Sequence, residues 1–161
     1  MLTVQKMLVL RKVALFSSLR SSDIGHLASI AEEVVFPSGS VIFSEGDFGD
    51  ALYLIVEGEV RIHNASVTLN RLRAADYFGE MTLLDGVPRS ATATADADCL
   101  VLRIRQGDFQ AILARDFEVV LAIMRNLCER IRRGEARERE AIRSAAAAHP
   151  GRGPLLEVRD P

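Results

Sequence analysis

The 161-residue chain has the length of one ordinary domain, and its 48% hydrophobic content can build one core but leaves little for a second. With 26% charged residues and a formal net charge of −2, it sets up no basic field of the kind that nonspecific nucleic-acid binding needs. Cys99 and Cys128 lack Cys-x-x-Cys spacing, which argues against a disulfide framework or a zinc or iron–sulfur site; both are expected to be small, reduced core residues.

The stretch from Met1 to Phe16 is rich in Leu and Val but interrupted by Lys6, Arg11 and Lys12, so it cannot span a membrane. Its apolar run Met7 to Leu10 is too short for a secretory signal, and no small-residue cleavage site comes after it, so a cytoplasmic location is expected. Residues 1–14 read as an amphipathic helix with Val4, Met7, Leu8 and Arg11 at helical steps, docking on the domain or, as the alternative, extending from something upstream. Ser21-Ser22-Asp23 reads as a capping cluster for a short helix whose Ile24, Leu27, Ala28 and Ala31 form one buried stripe.

From residue 34 the pattern changes to short β-rich runs: Val34 to Phe36, Val41 to Phe43, Ala51 to Glu57, Val60 to His63, Val67 to Leu72, Ala91 to Ala95 and Leu100 to Ile104. Strands this short and evenly spaced imply a sandwich or barrel. The turns Pro37-Ser38-Gly39, Glu45-Gly46-Asp47, Phe48-Gly49-Asp50 and Glu57-Gly58-Glu59 each place a glycine where positive φ is expected. In Ala91-Thr92-Ala93-Thr94-Ala95 the small and polar residues take opposite faces, one packed and one towards cavity or solvent.

After Gln106-Gly107-Asp108 a helical period returns with Phe109, Ile112 and Leu113, and a longer helix opens near Asp116. Its stripe of Phe117, Val120, Leu121, Met124, Leu127, Cys128 and Ile131 is read as core packing, with a homodimer seam as the alternative, because part of it follows the steps of an a/d repeat. Arg132 to Arg143 is a mixed-charge, solvated continuation, and Ser144 to Pro161 is Ala-, Gly- and Pro-rich and expected to be disordered.

The chemistry concentrates between Tyr77 and Ala95. Gly79 permits a turn and a close backbone approach, and the residues after it offer main-chain N–H groups at the positive end of a short helix, a setting that favours an anion. Arg89 comes after a Gly86-Val87-Pro88 turn that returns the chain over the same spot, and its planar fork suits phosphate. Glu80 beside an anion pocket would be repulsive without a task of its own, such as accepting a sugar hydroxyl, so the pair suggests a ligand carrying phosphate and ribose. His26, His63 and His149 are scattered and read as structural or surface residues.

Phe78-Gly79-Glu80-Met81-Thr82-Leu83 through Pro88-Arg89-Ser90-Ala91 resembles the phosphate-binding cassette of the cyclic-nucleotide-binding domain family, the regulatory modules of protein kinase A, the catabolite activator protein and cyclic-nucleotide-gated channels. The resemblance runs from about Leu15 to Ile131 and includes Pro37-Ser38-Gly39, Glu45-Gly46-Asp47 and Asp50-Ala51-Leu52-Tyr53-Leu54-Ile55 before Gly58. It implies an α+β fold: an antiparallel β-roll (a double-stranded β-helix, or jelly roll, of about eight strands) flanked by N-terminal helices and a C-terminal lid helix. The implied organisation is an N-terminal helix over 1–14, the binding domain with its lid helix over 15–131, and a charged helical extension and tail over 132–161.

The resemblance further implies a ligand, cyclic AMP or cyclic GMP, rather than a cofactor or metal. Arg89 would hold the cyclic phosphate and Glu80 the ribose 2′-hydroxyl, with Gly79, the main-chain N–H groups near Met81 and Thr82, and the Ser90 hydroxyl adding contacts. Thr82 departs from the family's usual Ala, at a position expected to act through its backbone. Val60, Ile62 and Leu72 are candidates for the base pocket, with Met124, Arg125 or Asn126 from the lid. The implied function is a regulatory sensor and not an enzyme, working through an effector domain or protein, without nucleic acid or a membrane span and with a homodimer through the last helix as an option. The alternatives are a fragment of a catabolite-activator-like transcription regulator without its helix-turn-helix, or an interaction domain that no longer binds ligand. A metal-dependent cupin would need clustered His and carboxylate ligands, and no His-x-His pair is present.

Overall fold

In the computed structural model, residues 1–17, 19–65 and 67–148 are described. The N-terminal segment forms α1 (Thr3–Lys12), a 3₁₀ turn (Ala14–Phe16) and α2 (Ser21–Ile30). Eight strands come next: β1 (Glu32–Phe36), β2 (Val41–Phe43), β3 (Ala51–Glu57), β4 (Val60–Asn64), β5 (Val67–Leu72), β6 (Tyr77–Phe78), β7 (Thr92–Ala95) and β8 (Cys99–Arg105). α3 (Glu80–Asp85) interrupts them, and α4 (Gln106–Arg115) and α5 (Phe117–Ala148) close the described chain. Two compact units result, Met1–Ala122 and a second from Ile123 onward.

In the first unit the strands form two antiparallel sheets, ordered β1-β8-β3-β6 and β2-β7-β4-β5. Their inner faces share a core of Ala51, Tyr53, Ile55, Val60, Phe78, Ala93, Ala95, Cys99 and Val101. The alternate residues of β3 and β8, Leu52, Leu54, Leu102 and Ile104, are fully buried too, paired as Leu52 with Ile104 and Leu54 with Leu102. α4 packs on these two strands, and Leu10, Phe16, Ile24, Leu27 and Phe109 of the helical segments are fully buried as well. β3 is therefore buried on both faces, and each such leucine contributes about 1.5–3 kcal/mol.

Several details differ from the periodicity. On α1 the buried line is Leu10 and then Val13, with Met7 half-buried, whereas Val4 and Leu8 are exposed. Tertiary anchors decide this: Lys6 donates to the Ala31 carbonyl at 2.7 Å, and Met7 lies within reach of Gly25 on α2. The expected Ser cap of α2 is absent. The N-cap is Arg20, whose Nε bonds Asp23 at 2.9 Å, and the Ser21 hydroxyl instead accepts from Arg11 at 2.8 Å. At the start of α5, Asp116 accepts the Glu118 N–H at 3.0 Å, while Phe117 is exposed and Val119 is the buried residue of that turn. Cys99 is buried, but Cys128, expected in the core, is exposed on α5. Met124 and Ile131 are exposed as well, so much of the apolar stripe read as core is not covered. α5 continues to Ala148; His149 and the remainder of the Ser144 to Pro161 tail lie outside the described residues.

Candidate functional site

Arg89 is 5% exposed, and burial pushes its guanidinium down from the usual arginine range, against the opposing influence of Tyr53, Asp50, Glu80 and Asp47. Its Nη1 donates to the Gly79 carbonyl at 2.7 Å and its Nη2 to the Ala51 carbonyl at 3.1 Å. Its Nε has no hydrogen-bond partner; among the described residues only Asn64 Oδ1 shares that condition as a buried side-chain polar atom. A buried donor left unpaired costs about 1–3 kcal/mol, more for a charged group, so it calls for an acceptor. Phosphate oxygens fit that donor.

The main chain around Arg89 is fixed by the loop between β2 and β3. Arg89 N–H donates to the Asp47 carbonyl and the Gly46 N–H donates to the Arg89 carbonyl, both at 2.8 Å. Gly46 has φ +87°, as a tight turn requires, but Gly49 does not take positive φ as expected. Its role is space: a Cβ there would overlap Cζ, Nη2 and Nε of Arg89. Phe43 supplies a ring centroid 4.2 Å from Arg89 Cζ. The sequence does not single out Phe43, Gly49 or the Ala51 carbonyl for this site, because the turn role expected for Gly49 masks its spatial one.

Gly79 caps α3 with φ +91°, and a Cβ on it would stand 2.9 Å from Arg89 Nη1 and 3.0 Å from the Ala51 carbonyl, so both backbone conformation and space demand glycine. Glu80 (3% exposed) and Thr82 are buried on α3, while Met81 is partly exposed and Ser90 exposed. The fold thus brings Gly79, Glu80 and Arg89 together. The Thr82 carbonyl accepts the Gly86 N–H at 3.0 Å and so closes α3.

Val60 and Leu72 are cross-strand partners on β4 and β5; Val60 is fully buried in the inter-sheet core, and Ile62 and Leu72 pack half-buried against it. Met124, Arg125 and Asn126 stand on the part of α5 that belongs to the second unit. His63 is structural, its Nε2 2.9 Å from the Thr94 hydroxyl. Among the described residues no cluster of His, Cys, Asp and Glu could hold a metal ion.

Residues 33–116 match the family model described as the cyclic nucleotide-binding domain. The chain belongs to that family. It is 32% identical over 160 residues to a cyclic AMP receptor protein of Thermus thermophilus, a match covering 90% of this chain and 74% of the relative. It is 36% identical over 106 residues to a cAMP-dependent protein kinase regulatory subunit of Aspergillus niger, covering 65% of this chain but only 26% of that relative's length. Among solved structures, the regulatory domain of Toxoplasma gondii PKA with cAMP superposes with a TM-score of 0.65 at 28% identity, over 68% of this chain and 44% of that one. This cyclic-nucleotide-binding domain is therefore a sensor-type module related to regulatory proteins, with the antiparallel roll that the family implies.

Proposed function

We propose that the chain is a non-enzymatic regulatory module that binds cyclic AMP or cyclic GMP and signals through α5 to an effector domain or protein. Arg89 takes the cyclic phosphate, Glu80 the ribose 2′-hydroxyl, and Gly79, the main-chain N–H groups of Met81 and Thr82, and the Ser90 hydroxyl complete the sugar–phosphate site. Ile62 and Leu72, with Val60 behind them, offer apolar surface to the base. One observation carries the reading: a guanidinium buried to 5% exposure, held by two main-chain carbonyls, whose Nε lacks a partner.

The related proteins named for cyclic AMP favour that nucleotide, and no described helix is long and apolar enough to cross a membrane, in keeping with a cytoplasmic site of action. The exposed Met124, Cys128 and Ile131 on α5 support a protein contact through that helix, a second copy of the chain included. Thermal-shift titration with each cyclic nucleotide tests the reading, because a ligand that binds only the native state raises its melting temperature by mass action. The expected result is a concentration-dependent rise that Arg89→Ala abolishes. No rise with either nucleotide, or an unchanged rise in the variant, refutes the assigned site.

A further inference from the structure

We propose that Phe43 is a positioning residue for Arg89: the face of its ring holds the guanidinium in place for the phosphoryl group without neutralising it. The inference rests on the reading of Arg89 as the phosphate ligand and adds a second residue to it. Arg89 Cζ lies 4.2 Å from the centroid of Phe43, inside the range in which a cation is attracted by the negative face of an aromatic ring. The hydrogen-bond partners of the guanidinium are the Gly79 and Ala51 carbonyls, which are neutral, while the carboxylates of Asp50, Glu80 and Asp47 act on it through space without a hydrogen bond to it. A guanidinium locked in a carboxylate ion pair would have to surrender it to bind a phosphate. One held by carbonyls and a ring keeps its charge for the ligand and is already oriented, which lowers the ordering cost of binding.

The strand is built to aim this ring. β2 pairs with β7 through Val41 opposite Thr94 and Phe43 opposite Ala93, with a register shift between the two pairs. In a regular strand residues two apart share a face, so Phe43 would follow Val41, which is exposed. The bulge breaks that alternation, and both Ile42 and Phe43 pack on the inner core. There Phe43 is held by Tyr53, with centroids 6.1 Å apart, and by Phe78 at 5.9 Å, and those two rings stack on each other at 5.2 Å. The ring under Arg89 is thus itself buttressed, and the close approach of Gly49 restricts the guanidinium further.

Replacing Phe43 with phenylalanines carrying one, two and five ring fluorines withdraws the negative face stepwise at nearly constant shape. Calorimetric titration with cyclic AMP, and the melting temperature of the ligand-free protein, are measured for each member. The expected result is an affinity that falls progressively, by about 3- to 30-fold at full fluorination, with a fall in melting temperature of no more than about ten degrees, so that the protein stays folded throughout the titrations. An affinity that ignores fluorination overturns the inference and makes Phe43 a core residue only, even while Arg89→Ala still abolishes binding and the phosphate reading stands. If the pentafluoro member fails to fold, the slope across the singly and doubly fluorinated members decides the same question. Failure of the unmodified protein to bind the nucleotide removes the phosphate reading and this inference with it.

Discussion

Gly49→Ala separates the space that Arg89 needs from every other glycine function in the roll. The added Cβ would sit well under 3.0 Å from Cζ, Nη2 and Nε of Arg89, a separation that real Cβ atoms essentially never show. Gly49 does not have positive φ, so alanine brings no backbone penalty and trims the entropy of the unfolded chain, a gain of about 0.4–1 kcal/mol where the conformation fits. The loop cannot simply back away, because Gly46 and Asp47 are hydrogen-bonded to the main chain of Arg89 itself and any withdrawal drags that residue along. The guanidinium must therefore leave its seat, loosening its bonds to Gly79 and Ala51 and its place over Phe43. A charge-assisted hydrogen bond nets about 1.5–3 kcal/mol, so displacing the guanidinium proposed to hold the phosphate weakens binding by at least that much, roughly ten- to a hundredfold. Calorimetric titration with cyclic AMP measures this, with Gly107→Ala as control, since a Cβ there meets nothing within 4 Å and the backbone is not in the positive-φ region. A Gly49→Ala protein that binds as tightly as the parent would show that the guanidinium position does not matter to the ligand.

Glu80→Ala is expected to weaken cyclic AMP about 10- to 100-fold while leaving 2′-deoxy cyclic AMP nearly unaffected; a competition assay in which both ligands lose equally contradicts the ribose role. Glu32, Glu59 and Asp96 have carboxyls held below their ordinary range, first by hydrogen bonds from Arg103, Arg71 and Arg61 respectively, and Glu33 likewise by the N-terminal ammonium. A folded-state pKa below the unfolded one stabilises above the unfolded value and is lost as pH falls through the folded one. The melting temperature should therefore hold from neutrality to about pH 5 and fall at more acid pH, less steeply in Asp96→Asn. Cys99 is buried and its thiol is pushed up by burial, whereas Cys128 is exposed, so a thiol reagent should label one cysteine rapidly in the native protein and the second only on unfolding; equal labelling rates contradict this placement.

Much of the roll is legible because its turns are punctuated by Gly39, Gly46 and Gly58, all with positive φ, and because β7 alternates cleanly, Ala93 and Ala95 entering the core while the Thr92 and Thr94 hydroxyls bond Glu45 N–H and His63. β6 escaped notice because two residues, Tyr77 and Phe78, carry no period at all; it exists through its pairing with Leu54 and Tyr53. The helices show the other limit. α1 and α5 carry apolar residues around much of their circumference, and periodicity cannot say which side a neighbour covers, so Val4, Leu8, Phe117 and Met124 are exposed where a buried stripe was expected. At the site, the pairing of Glu80 with Arg89 follows from the cassette, but Phe43 and Gly49 reach Arg89 from about forty positions upstream, joined to it by a bulge and two main-chain hydrogen bonds that no local pattern encodes.

Energetics then constrain how such a module responds. Micromolar affinity corresponds to about 8 kcal/mol, while each phosphate hydrogen bond nets about 1.5–3 kcal/mol, so the sugar–phosphate contacts leave a substantial share to the base. In the proposed site Val60 has no exposed surface left to bury, which directs that share towards the half-buried Ile62 and Leu72. A ligand shifts a conformational equilibrium only by its differential affinity for the two states. The seat of Arg89 is built by carbonyls, a ring and a loop of the roll itself, so its contribution is the same wherever the roll keeps this form. For the proposed sensor the differential term then falls to the base contacts, which makes the phosphate site the anchor and the base contacts the switch.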